Sequence, residues 1–256
     1  PGGKPSIRKI LHDTFIGPES RVLEIGSNTG FPSLEIARTV GATVIGIDPE
    51  PSAVNYSREL LAKDVAAVRN KCSFEVGSAY DIPFEDDTFD LVICGGATSF
   101  MEEKQTAISE YYRVLKPWKF LSVTNLCYFS EQPESVLEAT SNIIGVRLQP
   151  WGPEKYLELF CGARNFEVYC SESVYLGQQP KERITEYIAY FMNKPHLARY
   201  DASVRAAIEE RWFRTMSIFN ENHVYLGFLR AILRKAHIPE EPELFMPQAL
   251  PDWIRQ

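Results

Sequence analysis

Histidine is scarce in this chain, with 4 in 256 residues, and its five cysteines form no pattern. Cys72, Cys94, Cys127, Cys161 and Cys170 are odd in number, widely spaced and without a C-x-x-C unit. Neither a disulfide framework nor a zinc centre is indicated, and the thiols are expected to be buried as small hydrophobes. No apolar run reaches the roughly 18 residues needed to span a bilayer, and no secretory leader opens the chain. A cytoplasmic protein is the expectation. The first residue is Pro1, which leaves open an amino-terminal lid segment ahead of it.

Clustered positive charge is also missing. The net charge is -7 and the pI about 5.3, while Lys63, Arg69 and Lys71 are dispersed as solvated helix-face charges. Phosphate-backbone binding needs a concentrated basic surface, so a nucleic-acid substrate is disfavoured. A composition of 45% hydrophobic and 12% aromatic residues suffices to bury a full core, as one elaborated domain or two small lobes.

Val22, Leu23 and Ile25 make a short apolar run that stops at Gly26, as in a parallel strand covered on both faces. Gly26 and Gly30 allow a tight turn with close backbone approach to a ligand. Pro32 suits the first turn of a helix whose stripe is Leu34, Ala37 and Val40, with Gly41 to end it. A second strand, Thr43 to Asp48, ends in a carboxylate at about the spacing that lets it accept from ribose hydroxyls. The layout predicts a nucleoside crevice. A dinucleotide site requires three glycines so that pyrophosphate can lie on the backbone, but the second and third positions hold Asn28 and Phe31. Glu24, just before the turn, suits a cationic amino group better than a phosphate.

Four blocks in order resemble the class I S-adenosylmethionine-dependent methyltransferases of the small-molecule type. They are Val22-Leu-Glu-Ile-Gly-Ser-Asn-Thr-Gly30; Gly46-Ile-Asp-Pro49; Val76 to Phe84 with Phe89 to Gly96; and Glu110 to Pro117 leading into Phe120 to Thr124. The resemblance covers roughly two fifths of the chain, Arg21 to Leu126. It implies S-adenosylmethionine as donor and S-adenosylhomocysteine as product. Glu24 would face the methionine amino group, with Gly26, Ser27, Asn28 and Gly30 under the methionine half. Asp48, followed by Pro49, would hold the ribose. Ser78, Ala79 and Tyr80 would lie against adenine, and Cys94 and Gly95 beside the sulfonium. Three positions depart from the family pattern: Asn28 for a glycine, Ser78 for an acidic residue, and Pro117-Trp118-Lys119 for Pro-Gly-Gly. Asn28 tolerates left-handed backbone angles and Ser78 can still donate or accept.

The expected fold is α/β: a doubly wound, mostly parallel seven-stranded sheet, Rossmann-like, with an antiparallel last strand and a helical cap insertion. A helix from Pro51 carries Val54, Leu61, Val65 and Val68 on one face. Strands follow at Cys72 to Val76, Leu91 to Cys94, Phe120 to Leu126 and Phe166 to Leu176, with helices at Glu103 to Leu115 and Glu154 to Cys161. The methyltransferase domain is assigned to 1–179 and 220–256, and an aromatic-rich cap contributing to the substrate pocket to 180–219. Tyr187, Tyr190 and Phe191 in that cap read as packing residues at helical spacing, though one face could line an apolar pocket. His223 to Arg234 reads as a strand or a helix by periodicity; the resemblance favours the antiparallel strand. Its start, Asn222 and His223, would then reach the active face with Thr98, Ser99, Phe100 and Tyr128.

Methyl transfer from a sulfonium is an in-line displacement with a neutral leaving group, so alignment and water exclusion matter most. A protonated oxygen or amine acceptor still needs a base, and His223, then His196, are the candidates. The competing role for His223 is a plain hydrogen bond at a strand end. No metal is expected, since only Asn125 is placed where a magnesium site would want clustered Asp or Asn. Three functions follow: methylation of an oxygen, nitrogen or carbon of a small organic molecule; methylation of a protein or RNA with the insertion as docking surface; and non-catalytic nucleoside binding on the same fold. The oligomeric state is not specified by the sequence.

Overall fold

The computed structural model describes residues 2–163, 166–194 and 197–236. The strands are β1 (Arg21–Ile25), β2 (Thr43–Asp48), β3 (Cys72–Val76), β4 (Phe89–Cys94), β5 (Leu115–Tyr128), β6 (Phe166–Tyr175) and β7 (Leu226–Lys235). They form one seven-stranded sheet in the order β3-β2-β1-β4-β5-β7-β6. The pairs among β1 to β5 are parallel, and the sheet closes with antiparallel strands. This is the doubly wound, mostly parallel Rossmann-like sheet expected from the sequence.

The helices are α1 (Gly3–Asp13), α2 (Phe31–Val40), α3 (Pro51–Ala62), α4 (Ala66–Arg69), α5 (Lys104–Val114), α6 (Glu134–Ile144), α7 (Pro153–Ala163), α8 (Lys181–Met192) and α9 (Ala202–Asn222). None of the described helices is long and apolar enough to cross a membrane.

Burial explains the central strands. All six residues of β4 are buried, and β1 lies between β2 and β4 with Leu23 in register with Ile45 and Val92. A strand covered on both faces is apolar over most of its length, which is why these runs do not alternate; Glu24 in β1 and Asp90 in β4 are the buried polar exceptions. Val22, Ile36, Val44, Val54 and Leu91 belong to one core cluster and are fully buried. Each such side chain contributes about 1.5–3 kcal/mol of transfer free energy. Gly30 and Gly41, with φ of 74° and 70°, bracket α2 as its start and stop.

The chain divides into two compact units. The first holds the described residues up to 125, then 154–173 and from 229 onward; the second holds Leu126–Pro153 and Val174–Phe228. In the second, Ile188, Met192 and Leu197 form a small core with Phe191, Ile208, Phe213 and Met216 against it.

Several sequence expectations are corrected. The helix from Pro51 breaks after Ala62: Asp64 Oδ1 accepts the Val65 amide at 2.8 Å, α4 restarts, and Val65 is left 64% exposed. Val54 and Val68 are buried as expected. The helical insertion does not stop at Phe219. Asp201 accepts from the amides of Ser203 and Val204, and α9 runs on to Asn222 with His223 as its C-cap. The last strand therefore starts at Leu226 rather than His223, and Val224 is 52% exposed. β5 is longer than expected because Trp118, at φ 62°, takes up the left-handed angle within a continuous strand. Helices α1 and α6 were not anticipated. Of the five thiols, Cys72, Cys94 and Cys127 are buried, and Cys161 and Cys170 partly so.

Candidate cofactor and active site

The turn after β1 contains three left-handed residues in five: Gly26 (φ 67°), Asn28 (φ 45°) and Gly30 (φ 74°). A side chain at Gly26 would approach Ala97 Cβ to 2.8 Å, and one at Gly30 would enter the Phe74 ring. Asn28, among the residues that best tolerate such angles, holds the middle position. Its amide donates to Asp48 Oδ2 at 2.8 Å, and its carbonyl accepts from Ser57 Oγ at 2.6 Å. The Ser27 amide donates to the Ile47 carbonyl at 3.0 Å. The loop is thus pinned to β2 and α3 by the protein's own hydrogen bonds. One polar atom in it is left over: Ser27 Oγ is buried and has no hydrogen-bond partner among the described residues.

Two carboxylates flank the loop. Glu24, 3% exposed on β1, accepts at Oε2 from the Ser33 amide at 3.0 Å and from the Ser33 hydroxyl. Burial pushes its carboxyl up to about 8, the Ser33 hydrogen bonds oppose this, and the charge of Asp48 adds to it. Asp48, 8% exposed at the end of β2, accepts from the Asn28 amide on Oδ2 and from the Glu50 amide on Oδ1 at 2.9 Å. Neither carboxylate has a cationic partner among the described residues. Pro49 is exposed beside them.

Beyond β3, Ser78 Oγ accepts the Tyr80 amide at 3.1 Å, and Ser78 pairs with Asp81 across the turn. Ala79 is buried, while Tyr80 is 39% exposed and accepts the Glu102 amide on its hydroxyl at 3.2 Å. The loop that follows is clamped by α5. Glu110 Oε2 accepts the Ile82 amide at 2.8 Å, and Arg113 donates to the carbonyls of Phe84 and Ile82 at 2.7 and 2.8 Å as well as to Glu110. At the end of β4, Cys94 Sγ lies 3.0 Å from Thr98 Oγ1, itself 3.3 Å from the Tyr111 hydroxyl. Gly95 is exposed. Thr98 and Ser99, expected to face a ligand, are buried; Ser99 Oγ accepts from Asn125 Nδ2 at 3.2 Å.

All the residues expected to hold the cofactor therefore lie in the first unit, at the carboxyl ends of β1 to β4. His223 lies in the second unit. Its ring is half-buried with no hydrogen-bond partner among the described residues, and burial holds its pKa below 6.5. The adjacent Asn222, 1% exposed, donates from Nδ2 to the Tyr128 hydroxyl at 3.1 Å and keeps Oδ1 buried without a partner among the described residues. His196 lies outside the described residues. Among the described residues, no group of three or more His, Cys, Asp and Glu could hold a metal ion.

Sequence reasoning missed Ser33, Ser57 and the Glu110–Arg113 clamp. Ser33 and Ser57 are buried polar residues on otherwise apolar helix faces, a pattern that marks a backbone or carboxylate partner nearby.

A mostly parallel sheet with a left-handed turn after β1 and a buried carboxylate closing β2 is the layout of nucleoside-binding α/β proteins. Residues 23–123 match the family model described as a methyltransferase domain. An uncharacterized protein of Haemophilus influenzae is 25% identical over 92% of both chains. Chloroplastic tocopherol O-methyltransferase of Arabidopsis thaliana is 30% identical over 61% of this chain, which spans 41% of that protein's length. The crystal structure of MccD protein superposes with a TM-score of 0.79 at 26% identity, covering 92% of this chain and 98% of the other. Residues 23–123 are a methyltransferase domain of the class I S-adenosylmethionine-dependent type, and the cofactor of that domain is S-adenosylmethionine.

Proposed function

We propose that the chain methylates an oxygen, nitrogen or carbon of a small organic molecule, with the donor held by the first unit and the acceptor by the helical part of the second, 180–219 and His223. The observation that carries this is the pair Glu24 and Asp48, two buried carboxylates without a cationic partner among the described residues, flanking a glycine loop held by protein hydrogen bonds in which Ser27 Oγ has no partner among those residues. Such a site fits a ligand that brings its own ammonium and several hydroxyls. Glu24 takes the amino group; Gly26, Ser27, Asn28 and Gly30 lie under the methionine half; Asp48, with Pro49 beside it, takes the ribose hydroxyls. Each oxygen of Asp48 accepts one amide and keeps capacity for a second donor. Ser78, Ala79 and the exposed face of Tyr80 take adenine, and Cys94 and Gly95 border the reacting end.

When bound, the cofactor supplies an electrophilic methyl group whose departure leaves a neutral thioether. The chain's own contribution is alignment and exclusion of water. His223, held toward its neutral form by burial, removes the proton of a hydroxyl or ammonium acceptor. The name of the tocopherol relative supports a small organic acceptor, and the net charge of -7 speaks against RNA. Isothermal titration of the intact chain with S-adenosylmethionine and S-adenosylhomocysteine tests the site: saturable binding of both is expected, and no binding of either would overturn the assignment.

A further inference from the structure

Within the second unit, α8 and α9 border a cavity of about 530 Å³, a size typical of small-molecule sites. Its wall sets Ile184 and Tyr187 of α8 against Met216 and Phe219 of α9, with His223 at the end of α9 also lining it. The aromatic residues of α8 thus divide between two tasks. Phe191 packs inward on Trp212 with ring centroids 4.7 Å apart, while Tyr187 and Tyr190 remain 51% and 65% exposed along the cavity. Large aromatic rings are normally buried, so two left open beside a concave apolar wall mark a surface shaped for a ligand.

The charges bordering the cavity cancel. Arg183 and Glu186 face each other at 3.6 Å on its exposed rim. Asn220 is committed: its side chain accepts the Gln179 amide at 2.7 Å and donates to the Gln179 carbonyl at 2.9 Å. Lys194 donates to the Tyr190 hydroxyl at 2.7 Å, which ties that cation to the outer edge of the tyrosine. The His223 imidazole has no hydrogen-bond partner among the described residues. A phosphate or carboxylate would want a cluster of free cations, and an ammonium would want a free carboxylate. The cavity offers neither, but it does offer a neutral ring nitrogen and flat aromatic walls.

From this we infer that the methyl acceptor is a neutral aromatic alcohol of the phenol class, its ring against Tyr187 and Phe219 and its hydroxyl toward His223. The inference rests on the methyltransferase reading above and names the acceptor for it.

The test is a charge series of one shape. Naphthol, naphthyl phosphate and naphthylmethylamine are titrated into the intact chain saturated with S-adenosylhomocysteine, by calorimetry or ligand-observed NMR. Naphthol is expected to bind at least about tenfold more tightly than either charged analogue. Tyr187→Ala and Phe219→Ala are expected to weaken naphthol by a similar factor while leaving S-adenosylhomocysteine affinity within about twofold. Tyr187 is half exposed, so its truncation leaves the small core of Ile188, Met192 and Leu197 in place. Equal or tighter binding of the anion or the amine overturns the inference, as does naphthol binding that ignores both substitutions. Binding of S-adenosylhomocysteine without any binding of naphthol overturns the acceptor class alone; loss of both ligands would instead overturn the cofactor assignment.

Discussion

The backbone amide of Asn28 donates to Asp48 Oδ2 at 2.8 Å across 20 residues of sequence. One carboxylate thereby fixes the middle of the turn after β1, and its other oxygen fixes Glu50 at the start of α3. The same carboxylate is the one assigned to the ribose, so loop order and cofactor affinity should fall together.

Replacing Asp48 by Ala removes the acceptor for two backbone amides. The expected loss in affinity for S-adenosylmethionine is about 1–3 kcal/mol, the usual range for a charged hydrogen bond. Titration calorimetry measures it, and an affinity equal to wild type would remove Asp48 from the ribose.

Glu24 gives a stability signature. Its carboxyl lies near 4.5 in the unfolded chain and about 8 in the folded, cofactor-free protein, because burial disfavours the charged form. Between those values the folded state holds a proton that the unfolded state has lost. Stability from this group is therefore full below about pH 4.5 and is lost as pH rises towards 8, by at most about 1.4 kcal/mol per unit. Glu24→Gln cannot ionise. Its melting temperature should match wild type near pH 4.5 and exceed it at pH 8, and parallel curves across that window would contradict the assignment.

Arg113 and Glu110 clamp the loop that follows Tyr80. Arg113→Ala frees the carbonyls of Ile82 and Phe84 and the Glu110 carboxylate, and should cost about 1–3 kcal/mol in thermal unfolding. Arg113→Lys should recover little, since an ammonium cannot span partners that a planar guanidinium reaches at once. Full recovery by lysine would show that charge alone is needed there.

His223 is expected to act in its neutral form. Burial lowers its pKa from 6.5, so kcat/KM should be flat at neutral pH and fall as pH drops through a value below 6.5. His223→Gln should lower kcat and abolish that acid limb while leaving cofactor affinity unchanged. Persistence of the limb in the variant would assign it to another group.

The sequence determined a good deal by itself. Short apolar runs such as Leu91 to Cys94, bounded by turn residues, fit strands covered on both faces, and left-handed turns favour glycine or asparagine, so β1 to β4 and the loop at Gly26, Asn28 and Gly30 were legible from residue type and spacing. Asp201 marks the start of α9, but no residue pattern marks its end, so periodicity begins the last strand at His223, three residues before Leu226. Periodicity failed where burial on a helix is partial, as at Val65, which sits at the break between α3 and α4 and is 64% exposed.

The tertiary structure alone decided what these residues do to one another. Glu24 and Ser33, or Asn28 and Asp48, meet only because β1 and β2 lie side by side with α2 and α3 packed against them. No local propensity records that contact or the burial that holds Glu24 near pH 8. Likewise the split of α8 into an inward Phe191 and outward Tyr187 and Tyr190 depends on where α9 packs. That is a matter of which side of a helix is covered, and the pattern of a single chain states only that some side must be.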